Sequence, residues 1–142
     1  MILLFFLFIT FIYSIEIDYN VCLPDPTQTK VIFTKVDGDP WPPVIGSRFK
    51  LAMNGVLDKY CEKLIVKPNL VMKAGDRDVP VNLPNTDLCG KAVRCPVLPG
   101  PLSIKFEMNI PNMAPAGSYE GRFTFTDGLN NITCLGITLE MS

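Results

Sequence analysis

The sequence predicts an all-β fold, an immunoglobulin-like antiparallel β-sandwich of two sheets, and three observations carry that reading. Apolar and polar residues alternate at every step through Leu102, Ser103, Ile104, Lys105, Phe106, Glu107, Met108, Asn109 and Ile110, the period-two pattern of a half-buried strand. Turn signals recur roughly every ten residues, the spacing of strands stacked in two antiparallel layers. No stretch of useful length has helical periodicity. A strict immunoglobulin domain would set a Trp between two sheet-bridging cysteines and a Tyr two residues before the second. Here Trp41 sits in a proline run and Tyr60 abuts Cys61, so that narrower pattern is absent.

Taken in order, residues 1–15 hold no charge and are almost continuous Ile, Leu and Phe, too short for a membrane-crossing helix of about 20 residues. Ser14 is small and well placed for cleavage, so this stretch predicts a secretory signal peptide, leaving 16–142 as one domain. Residues 16–21 alternate, with Ile17, Tyr19 and Val21 on one face, and predict a first strand ending at Cys22. Pro24 and Pro26 break it. Residues 31–36 resume in β-branched and aromatic residues. Asp37, Gly38 and Asp39 then read as a turn, followed by an extended loop of Pro40, Trp41, Pro42 and Pro43 that Gly46 closes.

Residues 48–54 alternate again with Phe49, Leu51 and Met53 inward, and Gly55 marks a bulge or a close approach of backbones. Residues 63–66 and 69–73, with Pro68 between them, predict a strand interrupted by a bulge or a bend. Val79, Val81 and Leu83 alternate before Pro84. Cys89 and Cys95 then bound a short loop, and Pro96 forces the chain to leave it extended. After the strand at 102–110 and a loop at 111–117, Tyr119, Gly121, Phe123 and Phe125 share a face, Asp127-Gly128 opens a hairpin turn, and Leu135, Ile137, Leu139 and Met141 line the last strand.

In an oxidising compartment the five cysteines are disulfide material. Cys89–Cys95 is the local pair and Cys22–Cys134 would tie the start of the mature chain to its last strand. Chain entropy makes the first worth about 2 kcal/mol and the second about 4.7 kcal/mol. Cys61 is left as a buried small hydrophobe. Thirteen basic against 14 acidic residues leave a net charge of −1 with no long run of either sign, so nucleic acid is excluded as a partner for want of a basic footprint. The chain has no His, which removes the usual general base and the commonest zinc ligand. The close carboxylate pairs Asp37/Asp39 and Asp76/Asp78 lie in turn-like sequence, and no spacing suits a metal. The expectation is no enzyme, no metal and no cofactor. Asn131-Ile132-Thr133 is a glycosylation acceptor.

Several short motifs in order give the chain a resemblance: residues 40–46 before a strand, Asp87-Leu88-Cys89, then Cys95-Pro96-Val97 with Gly100, Ile110-Pro111, Pro115-Ala116-Gly117-Ser118-Tyr119, and Cys134-Leu135. Together they resemble the ML lipid-recognition family, which includes the Niemann–Pick type C sterol carrier and the phosphatidylglycerol/phosphatidylinositol transfer proteins, over residues 16–141. The resemblance implies two sheets enclosing an apolar lipid cavity, and a monomeric lipid carrier, secreted or in the endolysosomal lumen, that contacts membranes transiently. The implied cavity residues are Phe49, Leu51, Met53, Leu64, Val66, Leu70, Met72, Ile104, Phe106, Met108, Tyr119, Phe123, Phe125, Leu135 and Ile137. By position in the family, the implied mouth lies between residues 79–83 and 110–115, rimmed by Val81, Leu83, Met113 and Pro115, with Trp41 as a helper at the membrane. Cys61 departs from the sterol carrier, which has a further short-range pair near its first strands, and so leaves open whether the cargo is a phospholipid or a sterol. A reading of another class, a secreted interaction module with a filled core and no cargo, stands beside the carrier.

Overall fold

The structure, a computed structural model, describes residues 15–142; all of the expected signal segment except Ile15 lies outside the described residues. Ten strands follow one another: β1 (Ile15–Glu16), β2 (Asn20–Val21), β3 (Val31–Asp39), β4 (Arg48–Leu57), β5 (Ile65–Ala74), β6 (Arg77–Asn82), β7 (Thr86–Asp87), β8 (Gly100–Asn109), β9 (Gly117–Thr126) and β10 (Asn131–Met141). They form two antiparallel sheets. The first runs β1-β3-β4-β8, the second β2-β10-β9-β5-β6 with β7 also on β5. The expected β-sandwich is therefore the observed fold.

The pleat explains the burial. In β8, Leu102, Ile104, Phe106 and Met108 are buried while the residues between them face solvent, and β4 answers with Phe49, Leu51, Met53 and Leu57. Direct register pairs such as Leu51–Phe106 and Met53–Ile104 set these side chains on one face. A slip of one residue would turn every one of them to water. Burying a side chain of this size is worth about 1.5–3 kcal/mol, which pins the register.

Three details differ from expectation, and at Gly55 one of the two expected alternatives holds. The first strand is two: Ile15–Glu16 pairs with β3 in one sheet and Asn20–Val21 with β10 in the other, so the chain closes one side of the sandwich as it crosses. Asp37 and Asp39 belong to β3 rather than to a turn, because Asp37 stands opposite Ala52 and Asp39 opposite Lys50, and Lys35 lies 3.8 Å from Asp37. Pro68 does not interrupt β5. It pairs in register with Phe123 of β9, while on the other edge β5 meets β7 through Ile65 and Val66 and β6 only from Asn69 onward. The missing N–H thus falls beside a gap between outer neighbours, where no ladder bond is lost. Gly55 is a close approach inside β4, since a Cβ there would sit 3.1 Å from Phe33 Cα, opposite a register shift in β3 between Phe33 and Lys35.

Both expected pairs, Cys22–Cys134 and Cys89–Cys95, are disulfide bonded. Cys61 is free and buried. Burial, and secondarily the charge of Asp127, pushes its thiol pKa upward, so the unreactive protonated form is favoured.

Candidate functional site

The space between the sheets is built from side chains of five strands and one adjoining residue. Phe49, Leu51 and Met53 of β4 and Ile104, Phe106 and Met108 of β8 face Leu64, Val66 and Leu70 at and along β5, Tyr119, Phe123 and Phe125 of β9, and Leu135 and Ile137 of β10. All are buried. Phe106 and Phe123 meet across the sheets edge to face, centroids 6.1 Å apart, a geometry aromatic quadrupoles favour. Met72 is the exception among the expected cavity residues, only partly buried at the rim of the core, where its Sδ lies 3.6 Å from the place a Cβ would take on Gly117. Among the described residues no buried side-chain nitrogen or oxygen lacks a hydrogen-bond partner, so the interior makes no polar demand on what fills it.

A hollow of about 840 Å³ lined by Asp37, Asp39, Lys50, Leu88, Ala92 and Glu107 opens beside the first sheet, whereas free space amid the core side chains is slight and off-centre. A narrow apolar crevice, too thin to seat a water molecule, is lined by Pro43, Phe49, Leu70, Met108, Ile110, Phe123 and Leu139. It sits at the end of the sandwich where β4 begins and β8 finishes. Four of those seven were expected as cavity residues. Ile110 and Leu139 carried a signal, since each is an apolar step of an alternating run, and Pro43 carried none because a proline loop has no periodicity to read.

The expected rim divides. Met113 is 93% exposed, unusual for a large apolar side chain. Val81 and Leu83 are partly buried against the core. Pro115 is exposed, and its carbonyl accepts the Tyr119 hydroxyl; burial pushes the Tyr119 pKa upward. Trp41 is half-buried with its ring 6.2 Å from that of Phe49. Val44, not expected at the rim, is 44% exposed in the same loop.

Two sheets thus enclose an apolar interior, with a cysteine-pinned corner after β7 and a proline loop over one end. A family model described as ML domain matches residues 16–141. The chain belongs to the ML domain family. This ML domain is 29% identical over 117 residues, 79% of each chain, to a Dictyostelium discoideum protein whose naming as phosphatidylglycerol/phosphatidylinositol transfer protein 2 is itself provisional. Its fold resembles a Niemann-Pick type C2 protein from the Japanese carpenter ant, with TM-score 0.66, 16% identity, and 88% of this chain covering 99% of that one. It also resembles chicken MD-1 complexed with lipid IVa, with TM-score 0.59, 20% identity and 86% of each chain covered.

The strongest electrostatic feature of this ML domain lies at the other end. Lys59 Nζ is 2.6 Å from Asp127. That hydrogen bond, helped by the backbone N–H groups of Asn130 and Leu129, holds the Asp127 carboxyl down at about 2, and Asp127 in turn raises the Lys59 pKa. The pair ties the segment after β4 to the β9–β10 hairpin. It faces no pocket and serves structure. Asp37 and Asp39 lie on β3 and line a hollow together with Lys50, Lys105 and Glu107, and Asp78 pairs with Lys73 at 3.2 Å.

Proposed function

We propose that this chain is a secreted lipid-binding protein that moves lipid between membranes, holding the acyl or sterol part between its two sheets, with phosphatidylglycerol/phosphatidylinositol-type phospholipids or sterols as cargo. The observation that carries the reading is the interior itself: two apolar faces with all buried side-chain polar atoms satisfied among the described residues, and an apolar crevice already present between them. Taking a chain of ~16 carbons out of a bilayer costs about 13 kcal/mol at ~0.8 kcal/mol per CH₂, so a carrier must offer an equally dry interior. The crevice cannot hold such a chain as it stands. Cargo therefore separates the sheets, and Met53, Met108 and the Phe rings repack around it. Families of this kind act by binding rather than by chemistry, which suits a chain without His.

Met113, Val81, Leu83 and Pro115 rim the mouth in this proposal, and Met113 dips into the membrane during exchange. Residues 1–15 act as the signal peptide, so N-terminal sequencing of secreted protein should begin within a residue or two of Ile15. The Cys22–Cys134 and Cys89–Cys95 bridges suit that compartment.

One observation favours the second reading, an interaction module without cargo: the core is closed. Organic extraction of purified protein followed by mass spectrometry separates the two, since a carrier yields stoichiometric lipid and a filled module none. Transfer of a fluorescent phospholipid between vesicles, measured for Val81→Asp and Met113→Asp beside thermal melts, tests the mouth. Folded variants that transfer at the wild-type rate would place it elsewhere.

A further inference from the structure

The two ends of the sandwich are held together differently. At the end where β3 begins, three polar ties cross between the sheets. The Lys30 N–H donates to the Ile132 carbonyl at 2.8 Å, the Thr29 and Thr133 hydroxyls share a hydrogen bond at 2.8 Å, and Lys59 grips Asp127 at 2.6 Å. At the opposite end residues 40–47 leave β3, arch over the interior and return as β4. Among the described residues one hydrogen bond joins that arch to the second sheet, from the Ile45 N–H to the Ser142 carbonyl at 3.2 Å. This lightly held end is the one that contains the crevice, and Pro43 of the arch and Ile110 form its roof.

Residues 110–117 cross from the first sheet to the second at the same end, and the arch rests on them. The Ile110 N–H donates to the Ser47 carbonyl at 2.9 Å. Gly46 has φ +78°, the left-handed region that side chains avoid, and the Asn112 side chain occupies the space where a Cβ on Gly46 would stand.

We infer that residues 40–47 are a flap, that the apolar end of the lipid passes beneath it between Gly46 and Asn112 into the crevice under Pro43 and Ile110, and that the tied end is the hinge about which the sheets part. The inference rests on the carrier reading and goes beyond it by making residues 40–47 a moving side of the mouth, opposite the 110–115 loop that carries Met113 and Pro115. Opening the flap gives up the Ile45 bond and the Gly46–Asn112 contact, with Val44 two residues from Gly46 and Met113 next to Asn112 as apolar side chains on the two sides of the opening. Both side chains already face solvent, so they can rest on a membrane without refolding.

A staple tests it. A Cβ at position 46 would stand 4.0 Å from Asn112 Cα, so the two backbones are near enough for a disulfide to be built between them. In Gly46→Cys/Asn112→Cys the oxidised flap is locked. Transfer of fluorescent phosphatidylglycerol between phosphatidylcholine vesicles should fall by at least about tenfold on oxidation and return on mild reduction, as expected when a lid gates passage. Mass spectrometry checks that the two native bridges persist. Any strain at position 46 is common to both states and cancels in the comparison. Equal rates in the two states would overturn the flap while leaving the carrier reading intact; no transfer by wild-type protein would overturn both. Asn112→Ala, a substitution at an exposed side chain, decides the matter if the double variant does not fold: exchange severalfold faster supports the flap, and an unchanged rate overturns it.

Discussion

Leu70→Ala should weaken the fold yet make it more responsive to cargo. Leu70 is 1% exposed and lines the crevice. Truncation removes three carbons, about 2.4 kcal/mol of transfer free energy. The enlarged void adds a cavity term, bringing the total to about 4 kcal/mol within the ~2.7–5 kcal/mol range of such substitutions. In a domain of this size each kcal/mol is worth about 3–5 °C, so the melting temperature should drop by about 15 °C. The matched control is Leu57→Ala, equally buried at 1% but away from the crevice, with a similar drop. Phosphatidylglycerol at ~100 times its dissociation constant stabilises by about 2.7 kcal/mol, or about 10 °C. Leu57→Ala should gain what wild type gains. Leu70→Ala should gain more, because the void it opens lies where the chain must go and less repacking is needed to admit it. Differential scanning fluorimetry with and without lipid reads both. Equal gains in the two variants would refute the claim that the crevice is where cargo begins to seat.

Three further outcomes are expected. Asp127 is held at about 2 in the fold against an unfolded value near ~3.9, so its contribution is complete above that value and is lost as pH falls toward 2; Asp127→Asn should melt below wild type at pH 7 and the gap should close between about pH 4 and 2. Replacing Cys22 and Cys134 together by Ala should cost about 4.7 kcal/mol and replacing Cys89 and Cys95 about 2 kcal/mol, because the loops closed differ so much in length; denaturant melts rank the two. Cys61, buried with its pKa raised, should react with a thiol reagent only at the rate of unfolding, and fast labelling under native conditions would show its strand bridge to Val97 to be open.

Much of this protein is legible without coordinates because a half-buried strand writes its burial into alternate residues. Leu102 to Met108, Phe49 to Met53 and Tyr119 to Phe125 announced both their strand character and their inward faces, and local turn chemistry announced the corners. Tertiary structure decided what depends on partners far away in sequence. The run at 16–21 shows one alternation whether it pairs with one sheet or two, and only β3 and β10 reveal that it crosses. Asp37 and Asp39 look like turn residues until Ala52 and Lys50 stand opposite them, and Pro68 looks like a break until the gap between β6 and β7 shows that no bond is missing there. The crevice is the extreme case. Its roof is Pro43 and Ile110, separated by more than half the domain and brought together because β4 and β8 are ladder neighbours. Free volume belongs to no residue. It is set by how two sheets of fixed pleat and twist meet, and a sequence read residue by residue carries no term for it.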